Sequence, residues 1–231
     1  FQSQPNCFVS GSLDTSIRIW DVRQRMEIVC LKGHSKQVND VCLSPYDGML
    51  ISASDDGSAK VWNLATNKLV GDFWTDKRMP VNTACFHPSQ FQAVFGGAER
   101  SVNFYSTESY NYQAVSKEMP SSIGALTFDD TGNALYIAGN GYMRAIRMPE
   151  VANFEIIDVP WKKTPQLIFE GKDLYALSLH SRSVKITKLG INPDKVEPEK
   201  PKRIQTSGMQ IEPLPKPQSQ TPLPPQIDPE Q

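Results

Sequence analysis

Apolar residues in the first 190 positions come in short alternating runs, not as the stripe of an amphipathic helix. Val38-Asn39-Asp40-Val41-Cys42-Leu43 is one such run and Ile17-Arg18-Ile19-Trp20 is another. Turn-forming residues divide them at Leu13-Asp14-Thr15, at Ser44-Pro45-Tyr46-Asp47-Gly48 and at Asp55-Asp56-Gly57. Period-two runs broken by Asp, Gly and Pro predict strands joined by tight turns. No stretch keeps a helical period over three turns. The predicted fold class is all-β.

The pattern also repeats. Phe8 to Asp21 lies over Leu50 to Asn63, and weaker copies follow at Phe91 to Ser106, Ala134 to Arg147 and Leu174 to Thr187. The slot held by Trp20 and Trp62 recurs at Tyr105, Arg147 and Thr187, in steps of 42, 43, 42 and 40 residues. A period near 40 with three or four strands per unit is that of a β-propeller blade, a small sheet that must stack on neighbours to bury its faces. The count predicts about four complete blades plus three strands of another, whose inner strand would precede residue 1. Propellers of this kind commonly hold about seven blades. The chain, which opens on Phe1, is therefore expected to be a piece of a longer protein with blades missing upstream.

The second unit is the most complete. Gly33-His34 precedes an inner strand at Val38 to Leu43, a turn leads into Met49 to Ser54, and Asp56-Gly57 turns into Ser58 to Trp62. Lys68 to Phe73 forms the outer strand. This arrangement resembles the WD-repeat family, whose units run Gly-His, strand, Pro-Asp-Gly, strand, Asp turn, strand, Trp-Asp. The resemblance implies a buried hydrogen-bonded network of His34, Ser52, Asp56 and Trp62. In the first unit it implies Ser10, Asp14 and Trp20, its Gly-His falling before residue 1. Buried polar groups need partners, and a satisfied network stiffens a small sheet. Later units are eroded, with Glu99 and Tyr105 in the Asp and Trp slots, so blades are expected there without the network.

Composition separates a tail from this body. Ten of the 18 prolines fall in residues 191–231, and no Phe, Trp or Tyr follows Tyr175. Such a segment lacks the apolar content for a core, and a proline-rich disordered linker is expected from Ile191 on, after a partial propeller over 1–190. Lys and Arg number 24 against 25 Asp and Glu, which gives no broad basic field for nucleic acid or a membrane surface. No apolar run approaches the roughly 20 residues of a membrane span. The four cysteines, Cys7, Cys30, Cys42 and Cys85, form no C-x-x-C and fit reduced thiols in a cytosolic protein.

Candidate chemistry reduces to structure at each place. Asp130-Thr131-Gly132 matches an aspartic-protease triplet, but it stands where the repeat needs a turn and has no second copy. His34, His87 and His180 match no zinc spacing. Gly139-Asn140-Gly141 lacks the third glycine of a dinucleotide fingerprint and reads as a hairpin turn. No Gly-x-Ser-x-Gly elbow occurs. Pro222 to Pro225 has the Pro-x-x-Pro spacing of an SH3 ligand but lies in a segment where that spacing arises readily. No catalytic residue, metal site or cofactor is expected. What remains is the rim where inner strands begin and Asp turns project: Leu13, Gln37, Asn39, Asp55, Arg78 and Asn82 are the candidate partner-binding positions.

A closer resemblance runs along the chain. Phe8 to Arg23, Gly33-His34-Ser35-Lys36-Gln37-Val38, Pro80-Val81-Asn82 with Phe86-His87-Pro88, and Val159-Pro160-Trp161-Lys162 follow one another as in the non-catalytic WD-repeat subunit of katanin, the microtubule-severing complex. The likeness covers most of residues 6–189. Trp74-Thr75-Asp76 departs from it where that family has Gly-His. It implies a non-enzymatic subunit that targets or regulates a severing AAA ATPase. It also implies microtubule-associated partners and a place in the cytoplasm on microtubules, centrosome or spindle pole. The helical domain by which that family holds its ATPase is not among these 231 residues. The alternatives are another WD-repeat adaptor, such as a ubiquitin-ligase substrate receptor or a chromatin scaffold, and a propeller enzyme with a dispersed site.

Overall fold

A computed structural model of the chain describes residues 6–45, 48–148, 154–158, 166–170, 173–180 and 183–189. Among them are eighteen strands in five antiparallel sheets, and no helix. The first sheet holds β1 (Cys7–Gly11), β2 (Ser16–Asp21) and β3 (Met26–Lys32) in that order. The second holds β4 (Val38–Leu43), β5 (Met49–Ser54), β6 (Ser58–Asn63) and β7 (Lys68–Trp74). The third runs β8 (Val81–Phe86), β9 (Gln92–Gly97), β10 (Val102–Ser106) and β11 (Tyr112–Val115). The fourth runs β12 (Ile123–Phe128), β13 (Ala134–Gly139), β14 (Tyr142–Arg147) and β15 (Phe154–Asp158). The fifth holds β16 (Gln166–Glu170), β17 (Asp173–His180) and β18 (Ser183–Leu189). Every sheet is a meander, and consecutive sheets stack as propeller blades.

Five sheets stand for the five expected units, and the fifth is described only in part. It has three strands among the described residues, and an outer strand after Leu189 would lie outside them. The tail from Ile191, with Pro222 to Pro225, also lies outside the described residues, as do Val159 to Lys162 and Tyr46-Asp47 of the β4–β5 turn.

Stacking follows from the two-residue period of each second strand, which sends alternate side chains to opposite neighbours. On β5, Leu50 joins Ile17, Leu31, Val38 and Trp62 between the first two sheets. Its neighbours in sequence, Ile51 and Ala53, face the other way and pack with Val81, Ala84, Phe86 and Phe95 of the third sheet. On β9, Val94 then packs with Ile123, Leu126, Leu135 and Ile137 of the fourth. On β13, Tyr136 and Ala138 meet Leu167, Leu174 and Ala176 of the fifth. Buried on both faces, these strands are apolar at nearly every position.

Irregularities recur at the period of the repeat. The inner strands slip register between Val38 and Asp40, Val81 and Thr83, and Ile123 and Ala125. The extra residues are Asn39, Asn82 and Gly124. Matching slips stand before Trp20, Trp62 and Tyr105. A bulge re-aims the side chain at its centre and raises the local twist, and here the same two positions of the repeat carry it.

Candidate functional site

Two hairpin-end features define the end of the sheets where β1–β2, β5–β6 and β9–β10 turn: a buried polar network beneath, and a rim of side chains above. The network is complete in the second blade. His34 Nδ1 lies 2.8 Å from Asp56 Oδ2 and Nε2 lies 2.8 Å from Ser52 Oγ. Trp62 Nε1 donates to the same hydroxyl at 3.0 Å. A carboxylate only accepts, so the His34 proton sits on Nδ1 and Nε2 takes the Ser52 hydroxyl. Asp56 also accepts from the Ser35 amide at 3.0 Å and from the amide and hydroxyl of Ser58. Gly33 lets the chain pass over the Trp62 ring, since a Cβ there would stand 2.8 Å from Cη2.

The electrostatics agree with a structural role. Burial works to raise the Asp56 pKa, but Ser58, Ser35 and His34 outweigh it and hold the carboxyl down to about 2. Burial pushes the His34 imidazole below its usual value, against the pull of Asp56. The pair is a neutral imidazole donating to a carboxylate at neutral pH. The hydroxyl on its other side is tied to a tryptophan and is not presented to a substrate.

In the first blade the same residues make half of this arrangement. Trp20 Nε1 donates to Ser10 Oγ at 2.9 Å. Asp14 takes the Ser16 amide at 3.0 Å and pairs with Arg18 at 2.7 Å, and Arg18 is the main cause of its lowered pKa. No imidazole joins the two halves among the described residues. In the third blade Ser52 and Trp62 are matched by Phe95 and Tyr105, and an aromatic stack takes over. Tyr105 lies 4.3 Å from Phe73 and 5.4 Å from Phe95, nearly parallel to both. Glu99, in the Asp slot, keeps a buried Oε2 without a hydrogen-bond partner.

The six rim positions divide into two kinds. Asn39 donates to Asp55 Oδ1 at 2.7 Å and to the Val81 carbonyl of the next blade at 2.9 Å, while Gln37 donates to Asn39 Oδ1 at 3.1 Å. One blade on, Asn82 donates to the Ile123 carbonyl at 2.7 Å and to Ser122 Oγ at 3.0 Å. These asparagines are the bulge residues, so the bulge aims an amide across the seam. Asn39 and Asn82 thus spend side-chain groups across the seam, and Gln37 and Asp55 hold Asn39 from within its own blade. Leu13 does not: it is 77% exposed at the tip of the β1–β2 turn. Arg78, also exposed, stacks on Trp74 with Cζ 3.7 Å from the ring centroid, and Lys60 Nζ lies 5.2 Å from the same ring.

Three features escaped the sequence reading. Trp74 was visible only as a departure from Gly-His. Buried Lys60 pairs with Asp72 at 2.6 Å, replacing nothing in the repeat pattern. Asp40 crosses the seam, accepting from Thr83 Oγ1 at 2.9 Å and the Ala84 amide at 3.1 Å, and burial raises its pKa.

Of the other candidates, Asp130-Thr131-Gly132 lies in the β12–β13 turn with Gly132 at φ +77°. Gly139-Asn140-Gly141 lies at the β13–β14 hairpin, with Gly141 at φ +77°. The four cysteines form no disulfide among the described residues, and no group of three or more His, Cys, Asp or Glu there could hold a metal.

Comparison with known proteins agrees with the repeat reading. Residues 1–21 and 26–63 match the family model described as WD domain, G-beta repeat. Eukaryotic translation initiation factor 3 subunit I of Culex quinquefasciatus is 32% identical over 99 residues, 43% of this chain and 30% of that protein. Small ribosomal subunit protein RACK1y of Oryza sativa subsp. japonica is 30% identical over 101 residues, 44% of this chain and 29% of that protein. The human initiation factor 3 subunit I is 29% identical over 101 residues, 44% of this chain and 30% of its own length. The chain thus covers about a third or less of the relatives it matches. The family-model match falls on the first two blades.

Proposed function

We propose that this chain is a non-enzymatic scaffold that holds a protein partner on the rim around Leu13 and the Trp74–Arg78 pair. The observation that carries this reading is the contrast on that rim. Polar side chains there are engaged in hydrogen bonds within and between blades, while Leu13 stands 77% exposed and Arg78 sits over an aromatic ring. An exposed apolar residue and an Arg–Trp pair on a rigid frame have the composition of an interface hot spot. The same geometry disfavours chemistry by the buried network, whose groups are engaged with each other.

The finer assignment rests on the collinear motifs quoted above. They support a subunit like the non-catalytic one of katanin, acting in the cytoplasm on microtubules, centrosome or spindle pole, and targeting or regulating a severing AAA ATPase. The names of the matched relatives favour a second reading, a partner within a translation or ribosomal complex. Capture from a cell extract with the full chain separates them. Co-purification of a severing ATPase or of microtubule proteins supports the first. Enrichment of initiation factors or small-subunit ribosomal proteins supports the second. In either case Leu13→Asp with Arg78→Glu abolishes the capture. Capture unaffected by the double substitution overturns the rim assignment.

A further inference from the structure

His87 stands at the end of the sheets opposite the rim, in the loop between β8 and β9, and reaches across to the fourth blade. Its Nε2 lies 3.0 Å from the carbonyl oxygen of Gly132 in the β12–β13 turn. A carbonyl only accepts, so Nε2 carries a proton. Its Nδ1 lies 3.1 Å from the backbone nitrogen of Ser89 and 3.0 Å from that of Gln90. These amides only donate, so Nδ1 is bare. The Ser89 hydroxyl also approaches Nδ1, at the longer distance of 3.5 Å, so the nearest partners of both ring nitrogens are backbone groups that cannot exchange roles.

The ring is also confined. It is 2% exposed and lies 4.8 Å from the Phe128 ring. Gly132 presses on it so closely that a Cβ there would stand 2.2 Å from Cε1. A second proton on Nδ1 would point at two N–H groups, with no room to rotate away. His34 differs in that its Nε2 faces the Ser52 hydroxyl at 2.8 Å, close enough to turn from donor to acceptor, while the Ser89 hydroxyl stands 3.5 Å from His87 Nδ1 behind the two amides.

We propose that His87 is an acid-released latch between the third and fourth blades: the neutral imidazole clasps the β8–β9 loop to the β12–β13 turn, and protonation at Nδ1 opens that seam. The titratable group facing the ring is Asp129 at the start of the β12–β13 turn, whose carboxylate favours the imidazolium. Burial acts in the opposite sense and prevails, so the imidazole stays neutral below its usual range. Phe128, Gly132, Ser89 and Gln90 bring no titratable side chain to the ring. The stabilisation is full above the unfolded imidazole pKa of about 6.5 and is lost as pH falls through the folded value.

The test is backbone hydrogen exchange on the full chain between pH 7.5 and 5, corrected for the intrinsic pH dependence of exchange. Protection at Ser89, Gln90 and Gly132 is expected to fall by about tenfold or more on acidification, while Gly57 and Thr75 at the rim keep theirs. In His87→Asn, whose side-chain oxygen can still accept from the loop amides but does not titrate, the fall disappears. Equal acid loss in His87→Asn overturns the latch. A native-chain titration by NMR reads the same point without a variant: the His87 ring must change protonation together with the loss of protection. Protonation with protection retained overturns it as well.

Discussion

Ser52 is the residue on which most of the second blade's polar chemistry converges. Its hydroxyl faces His34 and receives the Trp62 indole, and the residue is fully buried. Leaving two such partners unsatisfied costs more than one hydrogen bond is worth. Ser52→Ala is therefore expected to destabilise the chain by about 2–4 kcal/mol in urea unfolding. Ser10→Ala, which frees only the half-buried Trp20, should cost about 0.5–1.5 kcal/mol. Equal effects would show that the network adds nothing to its separate bonds. Asp56 sets a pH dependence of its own. With its folded pKa held at about 2, its contribution is complete above the unfolded carboxyl value near 3.9 and is lost as pH falls toward 2. Asp56→Asn should flatten stability against pH across that window.

At the level of elements, the strands were legible because their two-residue period and their turns leave a direct trace in the sequence. Val38 to Leu43 and Met49 to Ser54 stand as strands at those bounds, and Lys68 to Phe73 extends by one residue to Trp74. His34, Ser52, Asp56 and Trp62 could be picked out because the second unit resembles the WD-repeat pattern closely enough to match its buried polar set position by position. The seams were not legible. Asn39 and Asn82 are polar residues at the start of inner strands, and nothing in one sequence says that a bulge turns their amides toward the next blade. The third blade's loss of the network was visible as substitutions, Glu99 in the Asp slot and Tyr105 in the Trp slot, but only packing reveals the aromatic stack that replaced it. If Asn82 is a seam residue, Asn82→Ala lowers stability by about 1–2 kcal/mol and speeds exchange in β12. Gln37→Ala, which leaves the interblade bond of Asn39 intact, stays within about 0.5 kcal/mol of the parent chain.

At the scale of the described sheets, the second, third and fourth each turn their two faces to two different cores, so stability and binding occupy separate positions. Leu50, fully buried between the first two sheets, should cost about 2–5 kcal/mol when cut to Ala. Leu13, at a turn tip and 77% exposed, should cost less than about 0.5 kcal/mol in stability yet weaken partner capture. The outer strands offer the competing surface, with Tyr112 and Val115 exposed along β11.

Site-specific photo-crosslinking decides between rim and outer edge, with the reactive group placed in turn at Leu13, Arg78, Tyr112 and Val115 of the full chain in a cell extract. The rim account predicts one protein partner joined from Leu13 and Arg78 and none from Tyr112 or Val115. Crosslinks confined to the β11 positions would contradict it.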